Sequence, residues 1–343
     1  MKRPRFRAGY VGIAIVVFAA VVSQQSAASA VVVHPIAQPA ERPAQPLVAG
    51  SNLLAATTHC NGPSFTPPSS TNTTNAGSQS FLALTGGIAT PNLWNTKSSR
   101  GSIAQCYNSS TGYTSTVNLS SLSIGPTQGP AGYPEIAYGE SAYGGRYCAT
   151  GVTNCTIAPF PLTVSNLAKY PYLTKISYSL GTISPTQYWH LTYDLWLVQS
   201  LKSAGPQAGD VEILISPYNG YPGCGTARGT VSIGGDTWSM YQGCGATKAT
   251  LLAFILKSPA QRRSATFDLN ISSFVSEVKK LLPTDASIAN EEMPGLEVGI
   301  EFDNYHCAAT CAPQQSSAKF HWAVSSLSVV QYSAASKTYK IVG

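Results

Sequence analysis

Short runs of alternating or β-branched and aromatic residues, each closed by Gly, Pro, Asn or Ser, recur along the chain. They predict strands over 113–119, 133–138, 175–180, 188–199, 211–218, 230–233, 237–241, 250–256, 296–302 and 320–332. One stretch breaks the period-two pattern. Phe274, Val278, Leu281 and Leu282 recur at helical spacing, Ser272 or Ser273 can cap the start, Lys279 and Lys280 suit the last turn, and Pro283 ends it. Many antiparallel strands with one short helix predict an all-β fold: a two-sheet β-jelly-roll sandwich in which one sheet curves into a concave cleft.

Two of these strands each carry a glutamate among aliphatic residues. Side chains alternate between faces, so Val211, Ile213 and Ile215 point one way and Glu212, Leu214 and Ser216 the other. The same parity sets Leu296, Val298 and Ile300 against Glu297, Gly299 and Glu301. On a third strand, Thr192, Asp194 and Trp196 share a face. A carboxylate inside a strand is costly unless its surroundings use it. Two such strands predict a pair of carboxylates facing one cleft, the arrangement that glycoside hydrolysis requires.

The chain has only 15 Asp and Glu, so they can be sorted individually. Glu41, Asp236, Asp268, Glu277, Asp285, Glu291 and Glu292 read as solvated surface in linker, turn, helix-flanking or loop sequence. Glu135, Glu140, Asp194, Glu212, Glu297 and Glu301 remain in strand-like context, with Asp210 and Asp303 at strand ends. His190, His306 and His321 read as structural, since the sequence identifies no carboxylate partner for them.

The N-terminus predicts export. Lys2, Arg3, Arg5 and Arg7 precede the apolar stretch 9–22, and Ala28-Ser29-Ala30 offers a small-residue cleavage site, so 1–30 reads as a secretory signal peptide. Its removal leaves 17 Lys and Arg against 15 acidic residues. The near-neutral remainder has no basic face for nucleic acid, and no later segment could span a bilayer, so a secreted, extracellular protein is expected. Residues 31–58 form an Ala/Pro-rich linker, and 59–343 suit one β-jelly-roll catalytic domain with a low-complexity loop at 61–80. All eight cysteines follow the signal, and an even number in an oxidising compartment predicts disulfides. Proximity favours Cys148 with Cys155, Cys224 with Cys244 and Cys307 with Cys311, leaving Cys60 with Cys106, although the spacing alone leaves the connectivity open. No ligand spacing for zinc is present, so no metal or other cofactor is expected.

Several stretches, taken in order, resemble glycoside hydrolase family 12, the small secreted β-jelly-roll endoglucanases and xyloglucan hydrolases. They are Asn92-Leu93-Trp94-Asn95 with Gln105-Cys106, Tyr133-Pro134-Glu135-Ile136 with Gly139, Tyr193-Asp194-Leu195-Trp196, Glu212-Ile213-Leu214-Ile215, Val231-Ser232-Ile233-Gly234 with Trp238, and Gly295-Leu296-Glu297. The resemblance implies a retaining endo-β-1,4-glucanase. In it Glu212 is the nucleophile, Glu297 the acid/base and Asp194 the support that hydrogen-bonds the nucleophile, with Trp94, Trp196, Tyr133 and Glu135 along the substrate. Ser216 and Gly299 stand where the family commonly has aromatics, a departure that bears on substrate choice. The implied partner is a plant-type β-glucan, bound by a monomer. Two rivals come from other classes: a polysaccharide-binding β-sandwich without activity, which would need no strand carboxylates, and a polysaccharide lyase, which would need a basic cleft and a Tyr or His base.

Overall fold

The computed structural model describes residues 58–60, 82–84, 87–93, 95–108, 110–124, 130–143, 160–169, 172–181, 189–201, 205–220, 225–243, 248–258, 260–283, 288, 290–302, 317–333 and 338–341. In chain order these form β1 (Thr58–Cys60), β2 (Leu82–Leu84), β3 (Gly87–Thr90), β4 (Thr96–Asn108), β5 (Gly112–Ile124), β6 (Glu135–Gly139), β7 (Leu162–Thr163), α1 (Val164–Lys169), β8 (Tyr172–Leu180), β9 (Trp189–Leu197) and β10 (Val211–Asn219). There follow β11 (Thr226–Ile233), β12 (Asp236–Gln242), β13 (Thr250–Ser258), β14 (Ser264–Asn270), α2 (Ile271–Leu281), β15 (Glu292–Met293), β16 (Gly295–Phe302), β17 (Ser317–Ser333) and β18 (Thr338–Ile341).

Among the described residues a nine-stranded sheet runs β11-β12-β13-β10-β9-β16-β6-β3-β2, and a seven-stranded sheet runs β1-β4-β5-β17-β8-β14 with β18 on β17. In the nine-stranded sheet β10 and β13 pair in parallel, and both β9 and β16 run antiparallel to their neighbours. Strand parity explains the sandwich. Leu191, Tyr193 and Leu195 of β9, Val211, Ile213 and Ile215 of β10, and Leu296, Val298 and Ile300 of β16 point inward and join Val117, Ile176, Trp322 and Val324 of the other sheet in one buried cluster. The opposite face of β9, β10 and β16 is thereby left to Asp194, Glu212, Glu297 and their row-mates.

The expected helix is present with a shifted start. Ile271, Phe274, Val275 and Val278 are buried along one stripe, and Phe274 stands edge-on to both Trp238 and Phe254 at 5.1 and 5.2 Å between centroids. Burying one such ring contributes about 1.5–3 kcal/mol. The N-cap is Asn270, not Ser272 or Ser273. Ser272 lies inside the helix, where its carbonyl accepts a hydrogen bond from the Ser276 hydroxyl at 2.8 Å. A second, six-residue helix, α1, adds to the single one expected; it has no acidic first turn to announce it. Asp268 lies on β14 and is exposed, as a surface residue should be, whereas Glu291, expected in solvent, is buried.

Cys60 and Cys106 sit opposite each other on β1 and β4 and form a disulfide. Cys148, Cys155, Cys224, Cys244, Cys307 and Cys311 lie outside the described residues, as do Trp94, the signal segment 1–30, nearly all of the linker 31–58 and the loop 61–80.

Candidate active site

Three neighbouring strands carry the carboxylates. In the ladder between β9 and β10, Trp196 faces Glu212 and Asp194 faces Leu214; between β9 and β16, Asp194 faces Glu297 and His190 faces Glu301. Residues opposite each other in a ladder share a face. Asp194 therefore occupies the middle strand between the glutamates of the outer two. One strand further, β6 contributes Glu135, set opposite Gly299 and diagonal to Glu297. Asp194, Glu212, Glu297 and Glu301 each keep less than a tenth of their surface, and Glu135 almost none.

Carboxylates packed this closely cannot all ionise. Burial pushes Glu212 up to about 8, with the charges of Glu301 and then Glu297 adding to it. Burial likewise raises Asp194 well above the usual carboxylate range. Glu212, Glu297 and Glu301 reinforce this in that order, and a side-chain hydrogen bond with Trp196 offsets part of it. Glu135 is also raised well above its ordinary value, by burial first, then by charge and hydrogen-bond contact with Glu297, while the Asn92 amide, donating to Oε1 at 2.9 Å, pulls the other way. The floor is a set of coupled acids that shares fewer negative charges than it has carboxyls.

The residues around them divide into braces and contacts. Tyr133, expected along the substrate, is buried and donates its hydroxyl to the Thr192 carbonyl at 2.9 Å, tying the chain ahead of β6 to the backbone of β9. Glu135, expected in the same role, lies in the floor against Glu297 and Asn92. Ser216 donates to Thr192 Oγ1 at 3.1 Å and is buried, so the serine that stands in place of an aromatic knits β10 to β9. At Gly299 a Cβ would come within 2.4 Å of the Pro134 carbonyl and 2.8 Å of Glu135 Cα and Cβ, so the close approach of β6 and β16 excludes any side chain.

Trp196, expected to stack on substrate, is buried in a small apolar cluster with Ala142, Val198 and Ala249. Tyr143 stands edge-on to it, with centroids 5.7 Å apart and planes at 78°. Tyr143 carries no sequence signal: it follows β6 in a Gly/Ser-rich stretch with no periodicity. His190 corrects the expectation that it lacks an acidic partner. It is buried, with Nε2 against Glu301 Oε2 and Nδ1 against Asn219 Oδ1 at 3.1 Å. The alternating pattern put Glu301 on the face of Glu297, but only the register of β9 with β16 brings it to His190.

The family model described as glycosyl hydrolase family 12 matches residues 88–328. Among solved structures, a family 12 xyloglucanase from Bacillus licheniformis is similar at 20% identity and a TM-score of 0.54, covering 80% of this chain and 100% of that one. Endoglucanase 3 of family 12 from Trichoderma harzianum is similar at 16% identity and a TM-score of 0.52, covering 84% and 98%. Both likenesses concern the fold. No curated protein matches the sequence.

Proposed function

The chain belongs to glycosyl hydrolase family 12 and is a glycoside hydrolase; on that footing we propose that it is a secreted, endo-acting enzyme that cleaves β-1,4-glucan with retention of anomeric configuration. The observation that carries this reading is the placement of Glu212, Asp194 and Glu297 on one face of three consecutive, hydrogen-bonded strands. The similar folds of a xyloglucanase and an endoglucanase support cellulose, mixed-linkage β-glucan or xyloglucan as the substrate class.

In this mechanism a Glu212 oxygen attacks the anomeric carbon as the bond to the departing sugar oxygen breaks, and Glu297 gives that oxygen its proton. Glu297 then takes a proton from water, whose oxygen attacks the same carbon and releases Glu212. Retaining chemistry of this kind uses carboxyls about 5–5.5 Å apart. Asp194, its pKa raised well above that of an ordinary aspartate, keeps a proton that it can share with Glu212, so the nucleophile ionises without two adjacent charges.

Activity is tested with a reducing-end assay on a panel of plant β-glucans, and release from none of them would return the protein to a binding role. A 2-deoxy-2-fluoro glycoside with a good leaving group should label Glu212, and Glu212→Gln should abolish turnover. As the proton donor, Glu297 should on change to Gln lose polysaccharide hydrolysis yet still react with an activated aryl glycoside. Early proton NMR should show the β anomer released first; the α anomer would mean inversion and a carboxyl gap of about 6.5–9.5 Å.

A further inference from the structure

Tyr143 is the only large apolar side chain that is truly exposed among the described residues, at 57% of its surface. A single exposed aromatic ordinarily needs no explanation; its surroundings give this one a role. The backbone is fixed by a turn in which the Tyr143 N–H donates to Ser141 Oγ at 3.1 Å. The ring makes a T-shaped contact with Trp196, which is held in its own apolar cluster and lies in register with Glu212. Gly205, with φ +116°, closes in from another side: a Cβ there would fall 3.1 Å from Tyr143 Cδ1. The ring thus has Trp196 and the Gly205 backbone as neighbours while much of it faces solvent.

Trp196 faces Glu212 in the ladder of β9 with β10, so the contact with Trp196 sets Tyr143 on the side of the sheet that carries the carboxylates. Although much of the ring is open, desolvation of the hydroxyl first, then the charges of Glu212, Asp194 and Glu297, raise the phenol's pKa. Tyr143 is therefore linked through Trp196 to the strand position of the proposed nucleophile, with an aromatic ring open to solvent. A pyranose whose substituents are all equatorial presents axial C–H bonds on both faces and so matches such a surface. Rigid, preorganised rings bind with little loss of conformational freedom.

We propose that Tyr143, mounted on Trp196, is a substrate-positioning platform that stacks against a β-glucosyl ring bound next to Glu212. The proposal deepens the β-glucanase reading and rests on it. Calorimetric titration of Glu212→Gln protein with cellohexaose and with a xyloglucan oligosaccharide measures binding without turnover. Adding Tyr143→Ala or Tyr143→Leu should raise Kd about tenfold, the loss of roughly one ring's contact area. Tyr143→Phe should bind as the parent does. Leucine keeps apolar bulk against Trp196 without a flat face, so it separates stacking from mere packing. Parental affinity in the Leu or Ala variant overturns the platform while leaving the glucanase reading intact. Failure of Glu212→Gln alone to bind either sugar overturns the glucanase reading itself, and the platform with it.

Discussion

At the scale of single residues, the nucleophile proposed at Glu212 is ionised against its environment. Its carboxyl is pushed up to about 8 by burial, then by Glu301, then by Glu297, yet attack on an anomeric carbon needs the anion. Removing a neighbouring negative charge must therefore ease ionisation. With Glu301→Gln, the acidic limb of the pH profile for labelling of Glu212 by an activated 2-fluoro glycoside should move to lower pH, a measurement that needs no proton donor. Asp194→Asn should leave that limb nearly in place, because Asp194, raised well above the ordinary aspartate range, is not among the charges that push Glu212 up. An unmoved limb in the Glu301 variant would mean that its charge does not reach Glu212. The alternation of polar and apolar positions was enough to assign Glu212, Glu297, Glu301 and Asp194 each to a face of its own strand, since parity is a local property of a strand. It could not show that Glu301 meets His190, which depends on the register of strands 111 residues apart in sequence.

At the scale of elements, legibility followed composition. β9, β10, β13 and β16 are rich in β-branched and aromatic residues and were readable almost to their ends. β4, with Thr96-Lys97-Ser98-Ser99-Arg100-Gly101 at its start, and β14, with exposed Ser264 and Thr266, gave no such signal; their pairing with β5 and β8 holds them in the sheet. Gly299 shows how element packing can override expectation from resemblance. A missing aromatic there suggests a gap in the cleft that could be refilled, but β6 lies too close for any Cβ, with Pro134 and Glu135 in the way. Gly299→Ala should therefore push β6 from β16, lower the melting temperature and reduce activity together, and Gly299→Trp should do worse instead of restoring a sugar contact. A stable, more active Trp variant would show that these strands part easily and that the glycine marks specificity. The cost of overpacking a tight site, about 1–3 kcal/mol, sets the expected loss for the Ala variant.

At the scale of the whole molecule, the same acids couple stability to pH in the direction opposite to most carboxylates. Glu212, Asp194 and Glu135 hold their protons to higher pH in the folded protein than in the unfolded chain, where such groups titrate near 4. Between about pH 4.5 and the folded value of about 8 for Glu212, the native state binds more protons than the unfolded state. Stability contributed by the protonated acids is then full below the unfolded pKa and declines as pH rises, at a limiting slope of about 1.4 kcal/mol per pH unit for each extra proton held. Denaturant melts of the wild type at pH 5, 6.5 and 8 should show falling stability, and Glu212→Gln, which cannot lose a proton, should fall less steeply. Stability that rises over this interval, or equal slopes in the two proteins, would mean that the floor is solvated enough to ionise freely. Activity and stability consequently pull against each other: the pH that frees Glu212 for attack also charges the buried floor. A bound sugar that supplies hydroxyl donors to that floor should relieve the conflict, so oligosaccharide should raise the melting temperature of wild-type protein more at pH 8 than at pH 5.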